Sequence, residues 1–237
     1  MHVLITRPRA QALELADRRA ARGDTALIEP LLTIEPVGGV VPQLDGVQAL
    51  VLTSANAAPA LGAWAGQLPL FAVGAATAAA ARRAGCATVI AAAGSGADLA
   101  RLIARRCRPE DGALLHLSGA ESRPELGEEL VAAGFALRRQ VVYEARPAPA
   151  LSPATVAALG RRAVEAVLLF SPRTARLFVE LMARHELQHR LGSAAAICLS
   201  AAVAQPCRAL VWRAIYLAAR PTPDALLEAL EAARRRC

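Results

Sequence analysis

At 237 residues the chain has room for one large domain or two small ones, and its 55 % hydrophobic content excludes a disordered polymer. Aromatic residues make up only 3 %, so the core must be built from Leu, Val, Ile and Ala. The net charge is +7 and all 27 basic residues are arginine, which excludes Schiff-base lysine and pyridoxal phosphate enzymes and P-loop nucleotide hydrolases, and points to an anionic partner.

In chain order, short apolar runs alternate with longer Ala/Leu/Arg segments of helical period. Residues 3–5 read as a strand, 9–22 as a helix, and 25–34, 49–52 and 70–73 as strands. A helix over 75–84, a strand over 88–92, a helix over 97–106 and a strand over 113–117 follow. A helix over 121–133 leads to strands at 137–143 and 167–170, and a helix over 173–185 to strands at 195–199 and 214–218. A helix over 223–234 ends the pattern. Alternating strands and helices predict an α/β fold with parallel sheets. Unbroken apolar runs, rather than in–out alternation, predict strands covered on both faces.

Ten strands are many for one sheet, and the sequence repeats. Gly23 and Gly134, and Pro36 and Pro147, are each 111 residues apart; "ALVLTSANAA" at 49–58 matches "AVLLFSPRTA", which puts Ser54 117 residues before Ser171. "LFAVGAATAAA" matches "AICLSAAVAQ", and "GADLARLI" matches "PDALLEAL", in the same order. Two copies of a five-strand unit follow, each a flavodoxin-like, doubly wound parallel-sheet domain. Proline-rich linkers, 36–39 and 147–149, fall at the same point of each copy.

Five widely spaced cysteines with no CxxC pair predict buried thiols in a reducing compartment. The first residues run straight into a strand without a signal-peptide layout, and the longest apolar stretch, 70–81, is too short and too alanine-rich to span a bilayer. A soluble, cytoplasmic protein with no membrane partner is expected, and a monomer is the default.

In open α/β sheets ligands bind beyond the carboxyl ends of the strands. Here those ends carry Thr6-Arg7-Pro8, Thr53-Ser54, Gly74 with Thr77, Gly94-Ser95-Gly96, Ser118-Gly119, Ser171-Pro172, Ser200 and Thr222. A hydroxyl beside backbone amides can hold an anionic oxygen, and it can equally be a plain helix cap worth about 1 kcal/mol. So many such ends in an arginine-rich chain favour a ligand with several carboxylates or phosphates.

Other signals are weaker. "GSGADL" at 94–99 lacks the third glycine of a dinucleotide fingerprint. His185 and His189 would stand one helical turn apart but have no third metal ligand, so a solvated face is the reading and no metal is expected. Arg234 to Arg236 suit a helix carboxyl end, and RNA-stacking aromatics are absent, so no nucleic acid is expected. His2 and His116 fall in strands and read as edge or core residues. Tyr143, one of two tyrosines, ends a strand just before the second linker. It would set a phenol near an interdomain cleft, with a half-buried structural tyrosine as the alternative.

Several words together resemble the uroporphyrinogen-III synthase family of tetrapyrrole biosynthesis. They are "VLITRP" at 3–8, "LVLTSANAA" at 50–58, "FAVGAATAAAARRAG" at 71–85, "GADLARLI" at 96–103, the segment 115–145, "VLLFSPRTA" at 167–175 and "RPTPDALLEAL" at 220–230. The resemblance implies two similar α/β domains joined by a two-stranded linker, with the chain crossing twice: residues 1–35 plus 150–237, and 36–149. It implies a lyase that cyclises hydroxymethylbilane, expelling water and inverting the last pyrrole ring, with no cofactor or metal. Such a product feeds haem, sirohaem, cobalamin or chlorophyll. Carried over, Tyr143 is the proton donor to the leaving hydroxyl. Arg7, Ser54, Thr77, Ser118, Gly119, Ser171 and Thr222 are substrate-binding. "LSAAVAQPC" departs from the family's Gly-x-x-Thr word, so a contact is missing near Ser200. The alternative is a non-catalytic two-domain binding protein or regulator for a polyanionic small molecule.

Overall fold

The computed structural model describes residues 1–38, 42–121 and 124–235. Gly39 of the first linker word, Ser122 and Arg123 of the 115–145 segment, and Arg236 and Cys237 lie outside the described residues. The chain opens with β1 (His2–Ile5), α1 (Arg9–Ala20), β2 (Thr25–Ile28) and β3 (Leu32–Pro36). β4 (Val47–Leu52), β5 (Leu70–Ala72), α2 (Ala75–Arg83), β6 (Val89–Ala91), α3 (Gly96–Ala104), β7 (Ala113–Gly119), α4 (Glu125–Ala132) and β8 (Leu137–Pro147) follow. Then come α5 (Pro153–Gly160), β9 (Ala166–Leu169), α6 (Pro172–Arg184), β10 (Ala195–Cys198), α7 (Ala201–Cys207), β11 (Ala214–Leu217) and α8 (Pro223–Arg234).

This is a mixed α/β fold with parallel sheets. The chain divides into two compact units, residues 1–33 with 146–237, and residues 34–145. The first unit holds a five-stranded sheet in the order β11-β10-β9-β1-β2, every neighbouring pair parallel. The other sheet runs β3-β8-β7-β4-β5-β6, with β8 through β6 parallel. The division between units falls within β3 and β8.

Both faces of each sheet are covered. Leu4, Val167, Leu169 and Ala196 enter one core cluster of the first unit, while Val3, Ile5, Leu168 and Ile197 enter another. In the second unit Leu50, Leu52, Leu115 and Leu117 face one way and Ala49, Val51 and Leu114 the other. Successive strand residues point to opposite faces, so a run buried on both sides must be apolar at every position. The helices follow from local rules. α6 starts at Pro172 behind the Ser171 cap and buries Ala175, Phe178, Leu181 and Met182, a single apolar face.

The structure corrects several expectations. The run 25–34 is two strands, not one, so eleven strands are formed among the described residues rather than ten. Pro30 has no N–H to give a ladder, and the chain leaves β1 there: β2 pairs with β1, while β3 lies beside β8. The helix expected over 121–133 begins only at Glu125, behind Pro124. α5 and α7 were outside the predicted set, because alanine-rich segments of seven or eight residues are too short to show a period. His185 and His189 do not share a helical turn. α6 ends at Arg184, Glu186 takes φ +56°, and His189 lies in a separate 3-10 turn.

Two glycines 111 residues apart share a backbone conformation. Gly23 and Gly134 both take positive φ, +76° and +86°, each just after a helix and just before a strand. A left-handed C-terminal residue is nearly free for glycine and strained for others. Among the described residues, no helix is long and apolar enough to cross a membrane.

Candidate functional site

In the second unit the carboxyl end of β7 and the middle of β8 form the most constrained group; β8 runs on to Pro147, so Tyr143 lies within the strand and does not end it as the sequence suggests. Gly119 aligns with Tyr143, and the Ala120 N–H donates to the Tyr143 carbonyl at 2.9 Å. A Cβ on Gly119 would stand 2.7 Å from Tyr143 Cε2 and Cζ and 3.0 Å from its hydroxyl. The phenol therefore lies directly on the glycine, and only glycine leaves room for it. Part of the ring packs against the core cluster that holds Leu115, Leu117 and Val142.

Arg139 of β8 reaches across to the same strand end. Its Nε donates to Ser118 Oγ at 2.9 Å, and its terminal nitrogen to the carbonyls of Gly119 and Ala120 at 2.8 and 2.7 Å. Ser118 is buried, and its hydroxyl donates to the Gly119 carbonyl at 3.1 Å. Both Ser118 and Arg139 are thus engaged in holding the end of β7. His116, two residues earlier, is buried and shares a 3.0 Å hydrogen bond with Thr53. Burial, and secondarily the Arg139 charge, lower its pKa from 6.5 to about 4, so the imidazole is neutral at neutral pH.

The remaining expected residues of this unit are spread along its strand ends. Ser54 follows β4 and accepts the Asn56 N–H at 3.2 Å, capping a 3-10 segment. Thr77 is buried in the first turn of α2. Ser95 caps α3 and donates to Asp98 at 2.6 Å, a closed capping pair rather than an open phosphate loop.

In the first unit Arg7 follows β1 and Phe170 follows β9, its parallel neighbour. The Arg7 guanidinium lies over the Phe170 ring, Cζ 4.5 Å from the centroid, and Nε donates to Gln11 Oε1 at 3.0 Å. Burial lowers the Arg7 pKa from its ordinary value, with the Glu14 charge partly opposing. Ser171 caps α6: its Oγ accepts the Thr174 N–H at 3.1 Å and shares a 2.8 Å bond with the Thr174 hydroxyl. Thr222 caps α8 through the Ala225 N–H at 3.3 Å, while Ser200 makes no side-chain cap bond on α7. Thr6 is buried and donates to the Leu168 carbonyl at 2.7 Å, tying β1 to β9.

The structure thus gathers Ser118, Gly119 and Tyr143 in the second unit. Arg7 stands beside the strand that leads to Ser171 in the first. Sequence reasoning passed over Arg139 and Phe170, and it set His116 aside as an edge or core residue, which its burial matches. The alternation in "LRRQVVY" marked Arg139 as one of two adjacent arginines, without saying which one turns toward β7.

The chain matches the family model described as Uroporphyrinogen-III synthase HemD over residues 14–228. Its fold resembles the crystal structure of uroporphyrinogen-III synthetase from Helicobacter pylori, with a TM-score of 0.66, 16 % identity and 98 % of each chain covered. It also resembles a mutant uroporphyrinogen III synthase from the extremely thermophilic bacterium Thermus thermophilus, with a TM-score of 0.55, 17 % identity and 100 % of each chain covered. No curated protein matches the chain.

Proposed function

Because the chain belongs to the uroporphyrinogen-III synthase family, we propose that it closes linear hydroxymethylbilane into uroporphyrinogen III, with loss of water and inversion of the last pyrrole ring. It is a cyclising lyase of tetrapyrrole biosynthesis. The observation that carries this reading is the family match across residues 14–228. The two units are its two domains, and β3 and β8, which the division cuts, are the two strands of the linker. Counted within the first unit, its strand order is 2-1-3-4-5, which supports a flavodoxin-like domain.

The reaction asks little covalent work of the protein. Pyrrole nitrogen electrons expel the terminal hydroxyl, and that oxygen leaves as water once it gains a proton. The enzyme must hold a flexible substrate in the conformation that inverts the ring and must exclude simple closure. Tyr143, seated on Gly119 at the end of β7, donates the hydrogen bond to the departing oxygen. The substrate's carboxylates are taken by Arg7 and by the strand-end groups at Ser54, Thr77, Gly119, Ser171 and Thr222, while Ser118, buried and bonded to Arg139 and the Gly119 carbonyl, holds the end of β7 in place for them. Of these hydroxyls, Ser54, Ser171 and Thr222 already cap helices, so their neighbouring backbone amides complete each contact.

The test is isomer analysis. The protein is incubated with enzymatically generated hydroxymethylbilane, the products are oxidised, and the porphyrin isomers are separated. Isomer III is expected. Isomer I alone, the product of unassisted closure, sinks the synthase reading and favours a polyanion-binding protein. Tyr143→Phe is expected to lower turnover by about tenfold or more with folding intact, and an unchanged rate would reduce the tyrosine to packing.

A further inference from the structure

We propose that Phe170 is a positioning residue for Arg7, and that with Gln11 they form a preorganised carboxylate clamp at the carboxyl ends of β1 and β9. The clamp deepens the proposed reaction by assigning one anchor for a substrate carboxylate, and to that extent rests on it. Three observations converge on this group. The guanidinium face is held by the Phe170 ring at 4.5 Å, and its Nε edge by Gln11 at 3.0 Å. The side chain is half-buried, yet among the described residues no carboxylate forms an ion pair with it and its two terminal nitrogens have no partner. The Ser171 hydroxyl, next in the chain after Phe170, is already shared with Thr174.

Other arginines here are spent differently. All contacts of Arg139 go to the end of β7, and Arg19 is buried against Asp24 and Glu231. Arg7 alone of these three presents an open fork, and a fork of two N–H groups matches a carboxylate bidentately. An unrestrained arginine loses rotamer entropy on being fixed, so a guanidinium held on its face and one edge before the ligand arrives binds more tightly. An aromatic ring is suited to this task because its negative face attracts the cation, which an aliphatic side chain of similar bulk does not.

The full-length protein is compared with Phe170→Leu and Phe170→Tyr, with KM and kcat measured on hydroxymethylbilane and melting temperatures taken in parallel. Loss of the ring should raise KM about fivefold to tenfold with kcat within about twofold, and the tyrosine should restore KM to within about twofold of the parent. Equal KM in all three, a loss confined to kcat, or a tyrosine as impaired as leucine overturns the clamp. If Phe170→Leu melts too low to assay, the cycle is completed through Arg7→Gln, which should raise KM by itself and leave Phe170→Tyr without further effect in its background. An Arg7→Gln enzyme with the parent's KM overturns the clamp.

Fluorescence titration with uroporphyrin, an octacarboxylate, separates the two readings. If the parent makes only isomer I but binds uroporphyrin more tightly than Phe170→Leu by the same factor, the reaction assignment fails and the clamp stands. No binding by the parent, or equal affinity of parent and leucine variant, overturns the clamp.

Discussion

At Gly119 a single hydrogen atom separates a working strand end from a clash. A Cβ there would sit 2.7 Å from the Tyr143 ring, closer than real contacts allow, so the phenol must swing away. Gly119→Ala should therefore lower turnover to about the level of Tyr143→Phe, and the double variant should be no slower than either. His116 makes a different prediction. Its pKa is depressed from 6.5 to about 4, so the unfolded chain binds the proton that the folded chain refuses. The stability it contributes is fully present above pH 6.5 and is lost as the pH falls toward 4. The loss amounts to about 3 kcal/mol at about 1.4 kcal/mol per unit. Urea midpoints measured from pH 7 to pH 4 should fall more steeply for the parent than for His116→Gln. Of this site, Gly119 could be picked from the sequence because it ends a strand run, and Tyr143 because it closes the apolar part of one, although β8 itself continues to Pro147. Their contact could not, since it depends on a register shift between β7 and β8 after Ser118.

Among the elements, the turns and caps carried the most legible signals. Ser171 followed by Pro172, and Thr222 followed by Pro223, mark the starts of α6 and α8 within one residue of the structure. Ser171→Ala should cost about 1 kcal/mol from loss of the Thr174 N–H partner, read as a lowered melting temperature. Less legible was the bond between elements far apart in sequence. The Asp24 carboxylate, fully buried before β2, takes Arg19 of α1 and Arg234 of α8. Asp24→Asn leaves the Met1 ammonium without its counter-charge and Arg19 and Arg234 with Glu231 alone, and should destabilise the protein by about 3–5 kcal/mol in chemical denaturation. No local pattern announces such a cluster, because its members are brought together by helix packing. The same holds for the break at Pro30. The proline was visible, but whether the strand merely bends or changes sheets depends on what lies beside it.

For the molecule as a whole, the arginine-rich composition and net charge of +7 set the expected response to salt. Affinity for an octacarboxylate porphyrin should fall as salt rises from about 50 to about 500 mM, since the screening length shortens from about 14 Å to about 4 Å. An affinity independent of salt would assign recognition to shape and neutral hydrogen bonds instead. The residues alone establish that strands alternate with helices and that the strands are buried on both faces. These follow from residue period and composition, which act within a few residues of each other. Which strands share a sheet was settled by the folded chain. β1 lies beside β9 and β4 beside β7, so that Arg7 meets Phe170 and Thr53 meets His116. Runs so alike in composition could pair in several orders, and the choice among them is made by burial of both sheet faces under the helices that connect them.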